Sequence, residues 1–428
     1  MPWGTTELVG KRLNVSRPPK RVAVVGAGLV GLSTAWFLQM RGVEVVILER
    51  SQVGAGASWG NAGWLSPALA VPLPEPATLR AGLAGFMSPS APLYVPAAPN
   101  PRRLRFLLSL ARHSTERRWR AGMAALAPLN VRALAAHDEL TAAGADIASM
   151  PMDPCLIATR TDVQRRALVG ELSKVRSVGQ QVQFDLLTGD EARAIEPLIS
   201  HEAGAVLRLY GQRYIHPGKY LTGLAAAFRR GGGCIEEGVE VRSVRERGDG
   251  VELRTTGEQV KANAVVIANG ALLGRLARPF GVCRLVEAGR GYSFSVIPDR
   301  MPAGPVYFPH AKVVFTPLGV RLRVSGMMEF RPADAPPDSR RIASIVSAAR
   351  PLVRGVDWAS ATDKWVGARP CTDDGLPLIG PTLSPRVYVA GGHGMWGITH
   401  GPVTGQLLAE TIVTGAVQPE LAALHPLR

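Results

Sequence analysis

The run Arg21-Val-Ala-Val-Val-Gly26-Ala-Gly28-Leu29-Val30-Gly31-Leu-Ser-Thr-Ala35-Trp, followed by Glu44-Val-Val-Ile-Leu-Glu49-Arg50, constrains the fold of this chain more than any other stretch. Val22 to Val25 form an apolar strand that enters Gly26-x-Gly28-x-x-Gly31, the segment from Leu29 to Arg41 reads as a helix, and a second apolar strand ends at Glu49. Strand, glycine turn, helix and strand make a βαβ unit. Gly26 permits the tight turn, Gly28 lets backbone approach a pyrophosphate, and Gly31 with Ala35 lets the helix lie close on the sheet. The helix N-terminus then offers unpaired N–H groups and a positive dipole end to phosphate. Glu49 stands eighteen residues beyond Gly31. A carboxylate there accepts a ribose 2′-hydroxyl and repels a 2′-phosphate, so a dinucleotide is expected and NADP is disfavoured.

The 428 residues are 46% apolar with a mean hydropathy of +0.09, enough to fill two domains of a globular protein. Cys155, Cys234, Cys283 and Cys371 are scattered without a CxxC pair, so neither a disulfide framework nor a metal site is expected and a reducing, cytoplasmic setting fits. Residues 1–18 carry Trp3, Lys11, Arg12 and Arg17 with no apolar core, and read as a tail and not a signal peptide. No apolar run approaches the ~18 residues that span a bilayer, which leaves a soluble or surface-attached protein. The net charge of +15 admits acidic partners but equally follows from the arginine-rich composition of a GC-rich genome.

Beyond the βαβ unit comes Gly54-Ala-Gly56-Ala-Ser58-Trp59-Gly60-Asn61-Ala62-Gly63-Trp64-Leu-Ser66-Pro67, whose small residues would let backbone pass close to a bulky planar ligand. Residues 69–101 are proline-rich and read as a crossing into another domain. Arg102 to Arg120 holds seven arginines against one glutamate, interleaved with Leu104, Phe106, Leu107, Leu108, Leu110 and Trp119. It fits either an amphipathic helix lying on anionic lipid or a core-packed helix with a solvated charged face. A helix is expected to continue over 124–145, and another to start at Pro217 after His216. Strands over 238–244 and 251–255 lead to the unalternating run Ala262 to Ala268, a buried strand that returns the chain to the nucleotide unit. Alternating strands over 285–331 suit one wall of a cavity, and Asp338 to Arg350 reads as helix. The boundaries that follow are 19–75, 205–284 and 360–420 for the nucleotide domain, and 76–204 with 285–359 for a substrate domain.

The last quarter contains Trp365-Val-Gly367-Ala-Arg369-Pro370-Cys371, then Gly392-His393-Gly394-Met395-Trp396-Gly397-Ile398, then a helix from about Pro402 to Thr414. This second glycine-rich turn into a helix suggests a ligand with two ends, one at each helix terminus.

Taken with Ser58, Asn61-Ala62-Gly63, His216-Pro217, Val241, Ala268-Asn-Gly270 and Gly291-Tyr292-Ser293, these motifs resemble the FAD-dependent D-amino-acid oxidase superfamily over roughly residues 20–415, and within it the D-amino-acid dehydrogenases and glycine oxidases. The resemblance implies an α/β chain: a Rossmann-type FAD-binding domain of the glutathione-reductase-like class and an α+β substrate domain built on an antiparallel sheet. It implies FAD contacts from Gly26, Gly28, Leu29, Val30, Gly31, Glu49, Arg50 and Ser58. Asn61, Ala62, Gly63 and Trp64 would lie along the isoalloxazine and Val241 at the adenine, with Ala268 and Gly270 also at the cofactor. Gly394, Met395, Trp396, Gly397 and Ile398 would face the flavin pyrimidine. Arg369 would bind a substrate carboxylate, because a guanidinium fork grips it at two points. Trp396 is counted with the catalytic residues. Tyr292 is counted with them too, either lining the pocket or packing. His393 and His400 read as turn and packing residues. Cys371 is out of register with the linkage cysteine of sarcosine oxidases, which leaves non-covalent FAD.

The activity so implied is oxidative deamination of D-amino acids by hydride transfer from Cα to flavin N5, giving a 2-oxo acid and ammonia, with electrons passed to a quinone-type or dye acceptor. An oxidase of glycine, sarcosine or a cyclic imino acid such as hydroxyproline stands beside it. A flavoprotein that mainly binds membrane or nucleic acid is the reading of another class. It lacks an aromatic-basic recognition motif and leaves Arg369 unexplained, so peripheral membrane contact is the only macromolecular contact carried forward.

Overall fold

The computed structural model describes residues 18–76, 91–96, 100–142, 144 and 147–428. Nearly all of the expected tail, and the middle of the proline-rich crossing, lie outside the described residues. The glycine motif joins β1 (Arg21–Val25) to α1 (Leu29–Gln39), which returns to β2 (Glu44–Glu49). β1 is central in a six-stranded sheet, paired in parallel with β2 on one side and with Ala264–Ile267 on the other. Cys234–Glu237 extends the sheet beyond β2, and Val387–Gly391 with Leu378–Pro381 extends it the other way. These inner strands are covered on both faces, which is why they read as continuous apolar runs and not as alternating ones.

The helix Gly397–Thr414 packs along α1 at small residues. A Cβ at Gly401 would lie 3.0 Å from Leu29 Cγ, and one at Gly405 would lie 2.6 Å from the Thr34 amide nitrogen, so glycine four residues apart sets how closely the two helices approach. This helix begins at Gly397, five residues before the expected start, and encloses Pro402. Proline has no N–H for the carbonyl four residues back, which is that of Ile398. The buried ring of His137 supplies the missing donor: Nε2 lies 3.1 Å from the Ile398 oxygen, while Nδ1 lies 2.7 Å from the Tyr220 hydroxyl, which donates to it.

In a second, nine-stranded and mostly antiparallel sheet, Val286–Pro298 lies between the edge strand Val356–Thr372 and Arg321–Phe330. Its Tyr292, Phe294 and Val296 pack against Ile345 and Ala349 of the helix Ser339–Ala349. On the other face Ser293 donates from Oγ to the Gly60 carbonyl, at 2.7 Å, so this face turns toward the nucleotide unit. Two expected boundaries move as a result. Ala205–Leu209 and Val356–Thr372 belong to this sheet and not to the nucleotide unit, because their pairing partners are Cys155–Thr159 and Val286–Pro298.

The basic run is two helices, Pro101–His113 and Glu116–Ala142. They part at Ser114, whose Oγ turns back to the Leu110 carbonyl. The first helix is tied to the substrate sheet: Arg103 is buried and donates to the Phe330 carbonyl, Phe106 packs on Phe330, and Arg102 pairs with Glu287 at 2.8 Å.

Candidate active site

A cleft of about 230 Å³ runs from the βαβ turn to the start of the helix Gly397–Thr414. At its first end Gly26 has φ +108°, and a Cβ there would come within 2.7 Å of the Ala268 carbonyl oxygen. Gly31 faces away from the cleft, where a Cβ would stand 2.0 Å from the Gly26 oxygen, so it serves the packing of α1. Gly28 differs from both. It lines the cleft, and a Cβ there would meet only Ser58 Oγ, at 3.4 Å. The space in front of Gly28 is open to the cleft, and it lies before the N-terminus of α1.

Glu49 lines the same end and accepts hydrogen bonds from the Ala27 and Ser51 amides at 2.8 and 2.9 Å. Ser58 Oγ accepts from the Leu29 amide at 3.2 Å. Leu29, Val30, Arg50, Asn61, Val241, Ala268 and Gly270 line the cleft with them. Gly394, Met395, Gly397 and Ile398 form its far end, beside Arg369. Residues from both glycine turns, separated by most of the chain, thus share one elongated cleft with a helix N-terminus at each end.

Several expected residues do not line it. Gly63 is taken up by a tight contact with the 215–217 segment: its carbonyl accepts from the Ile215 amide at 2.8 Å, and a Cβ would strike the Ile215 oxygen at 2.2 Å. Ala62 beside it is also off the wall. Trp64 points to the substrate sheet, with Nε1 donating to Thr316 Oγ1 at 2.9 Å. Trp396 donates from Nε1 to the Val71 carbonyl at 2.7 Å and borders a small adjoining hollow with Leu73 and Cys371. Tyr292 lies on the opposite face of its strand from Gly291. Its hydroxyl donates to buried Glu329 at 2.7 Å and accepts from the Asp338 amide at 3.1 Å, and burial followed by that carboxylate pushes the phenol up to about 12. Of its two expected readings, the structure gives the packing one.

Arg369 is the cation of the far end. Its guanidinium rests over Gly291, where any Cβ would lie 2.2 Å from Nη2, and Nη1 donates to the Met327 carbonyl at 3.2 Å. Among the described residues no carboxylate pairs with it, and burial pulls it below the ordinary arginine range. The two nearest acids in sequence are engaged elsewhere. Asp374 is gripped by Arg428 at 2.9 and 3.1 Å, and Arg284 reaches Asp373 and Asp374 at 3.7 and 3.5 Å. Burial opposes ionisation of Asp374, but the charge and hydrogen bonds of Arg428 outweigh it and hold that carboxyl below its usual value.

Sequence reasoning passed over Asn269, Arg275, Glu240 and Ala333, all on the cleft wall. Arg275 pairs with Glu240 at 3.2 Å, and Arg50 with Asp334 at 2.8 Å. These contacts join elements far apart in the chain, so no local motif signals them.

Cys371 is buried between Gly289 and Met328, and burial pushes its thiol up to about 12. Four buried histidines, His137, His393, His400 and His425, are also uncharged. Burial pulls His137 and His425 down to about 4, and His393 and His400 to about 3. An unfolded histidine binds its proton near pH 6.5 whereas these do not, so below that pH the unfolded state holds more protons and stability falls. Each group contributes about 1.4 kcal/mol per pH unit between the unfolded and folded values. Thermal melts are therefore expected to shift steadily downward from about pH 7 to pH 5; a melting temperature independent of pH over that range would contradict the neutral assignment.

Fold and site together define a dinucleotide-dependent oxidoreductase, and comparison with known proteins makes this specific. Residues 21–411 match the family described as FAD dependent oxidoreductase, and the chain belongs to that family. It is 31% identical over 413 residues to a D-amino acid dehydrogenase of Methylobacterium nodulans, covering 94% of this chain and 97% of that one. It is 29% identical over 412 residues to a D-amino acid dehydrogenase of Cereibacter sphaeroides, covering 94% of both. Among solved structures, glycine oxidase from Geobacillus kaustophilus superposes with a TM-score of 0.74 at 25% identity, over 96% of this chain and 99% of that one. The cofactor is FAD, and the glycine cradle with its open space before Gly28 fits the adenosine diphosphate half of that group.

Proposed function

We propose that this enzyme oxidises D-amino acids to 2-oxo acids and ammonia and delivers the electrons to a quinone-type acceptor. The observation that carries this reading is the unpaired guanidinium of Arg369 on the cleft wall, with no acid of the described chain to neutralise it. A partly buried cation of this kind calls for an anion, and the α-carboxylate supplies one. FAD supplies the hydride acceptor. Arg369, held by Met327 and backed by Gly291, fixes the carboxylate so that Cα–H is presented in one orientation, and orientation is the main requirement for transfer from a neutral amine. The N-terminus of the helix Gly397–Thr414 has no side-chain cap, so its free amides can stabilise negative charge at the far end of the cleft.

Anaerobic mixing of the yellow protein with D-, L- and N-methyl amino acids tests the proposal. Bleaching of the flavin band by D-amino acids is expected. Bleaching by glycine, sarcosine or a hydroxyproline instead would select the oxidase reading, which the superposition on glycine oxidase favours.

One surface feature supports the quinone-type acceptor. On the helix Pro101–His113, Leu104 and Leu108 are 59% and 54% exposed, four residues apart, beside exposed Arg105 and Arg112. Such a face is drawn to anionic lipid by about 1 kcal/mol per basic residue. Sedimentation with phosphatidylglycerol vesicles at low salt, together with faster reduction of a quinone or dye than of dioxygen, is the expected result. Peroxide released as fast as substrate is consumed, with no sedimentation, would contradict it.

A further inference from the structure

Arg323 is a second buried arginine that takes no part in the proposed chemistry. It is 5% exposed, and among the described residues no carboxylate lies within ion-pair distance of it. Burial pulls it below the ordinary range, opposed only by the field of exposed Asp363. Its Nη1 donates to Ser293 Oγ at 3.2 Å, and Ser293 Oγ in turn donates to the Gly60 carbonyl at 2.7 Å. The Trp59 ring lies over the guanidinium, 5.4 Å from its centroid. Gly60 is pressed from the other side by Trp365, whose ring would be 2.2 Å from a Cβ. Trp59 and Gly60 are the middle of the loop whose two flanks, Ser58 and Asn61, line the cofactor cleft.

We propose that Arg323 is a positioning residue that clamps the 58–61 loop of the cofactor site onto the substrate-domain sheet, through the relay Arg323 to Ser293 to Gly60 and the stacking of Trp59. The fork fixes the serine hydroxyl as an acceptor on one side, so that its proton points at the Gly60 carbonyl. The loop is thereby held with Ser58 Oγ under the first amide of α1. A buried cation without a carboxylate does not in itself favour the folded state, and replacing such a charge by an apolar residue of similar volume is often neutral or stabilising. Its benefit lies in the ordered loop, and ordering a binding loop before the ligand arrives raises affinity.

The test compares FAD affinity with the stability of the apoprotein. Arg323→Met and Ser293→Ala apoproteins are titrated with FAD by equilibrium dialysis and melted without it. Both variants should bind FAD at least about tenfold more weakly, while the melting temperature of Arg323→Met apoprotein stays level or rises. The double variant should be no worse than the weaker single one to within about twofold, because both act through one relay. Arg323→Lys, which can still donate to Ser293 Oγ, should recover part of the affinity. Affinities within about twofold of wild type in both single variants, or losses that track a lowered melting temperature, would overturn the proposal. If Arg323→Met fails to fold, Ser293→Ala decides alone on the same two measurements.

Discussion

Replacing Arg369 with alanine is expected to lower kcat/KM for amino acids by about 2–5 kcal/mol, roughly 30-fold to several thousand-fold, while FAD stays bound. The size comes from truncating one side of a buried charge pair that forms only when substrate is present. The protein should remain folded, because Arg369 closes no ion pair among the described residues and its one described hydrogen bond is to the Met327 carbonyl. This separates it from Arg428, whose guanidinium holds both oxygens of Asp374 and the carbonyls of Leu376, Pro377, Leu424 and His425. Arg369→Lys keeps a charge without the planar two-point grip and should fall between wild type and alanine. Turnover within threefold of wild type in Arg369→Ala, by steady-state assay, would remove the basis of the functional proposal.

Gly28→Val is expected to abolish cofactor retention and leave a folded apoprotein. Gly28 has ordinary negative φ, at −73°, and a Cβ meets nothing closer than Ser58 Oγ at 3.4 Å, so the empty chain accommodates the side chain. The added methyls then fill the approach to the α1 amides, where a pyrophosphate must lie. A loss of about 100-fold or more in FAD affinity, some 2.8 kcal/mol at 1.4 per decade, is the expected reading. Gly31→Val should instead cost the fold, since its Cβ would be driven into the Gly26 carbonyl. A Gly28→Val protein that purifies with stoichiometric flavin would show that the loop has been misassigned. Acid precipitation of the wild type should release all flavin into solution, because the buried Cys371 thiol is not a nucleophile at neutral pH.

The parts of this architecture that were legible in the sequence are those governed by short-range rules. Gly26, Gly28 and Gly31 announce their turn because each answers a steric demand within a few residues, and Pro217 marks a helix start because φ is preset there. Arg369 stood out through its Arg-Pro context. Tyr292 could not be placed, because a bulge between Arg290 and Tyr292 breaks the strand's register and hides which face it takes. The early start of the last helix was hidden for a related reason. Pro402 reads as a helix beginning unless a donor from elsewhere satisfies Ile398, and His137 lies 261 residues away in sequence. The relay among Arg323, Ser293 and Gly60 was equally silent, because Arg323 and Ser293 meet on neighbouring strands of one sheet and Gly60 reaches them from a distant loop.

The parallel pairing of β1 with Ala264–Ile267, a strand from the far half of the chain, has a consequence for biosynthesis. The Ser66 amide donates to Thr399 Oγ1 across 333 residues, tying the segment that follows the glycine-rich loop to the last helix. During synthesis the N-terminal βαβ unit emerges first, yet it lacks its neighbour Ala264–Ile267 and the helix that covers α1 until the last segment has left the ribosome. Domains tend to fold as units and in order of emergence, but here the nucleotide domain is the last to be completed. FAD therefore has no finished site to enter on a nascent chain. The substrate sheet, assembled from residues before 373, has all of its strands before the helix Gly397–Thr414 that covers the apolar face of α1 is made.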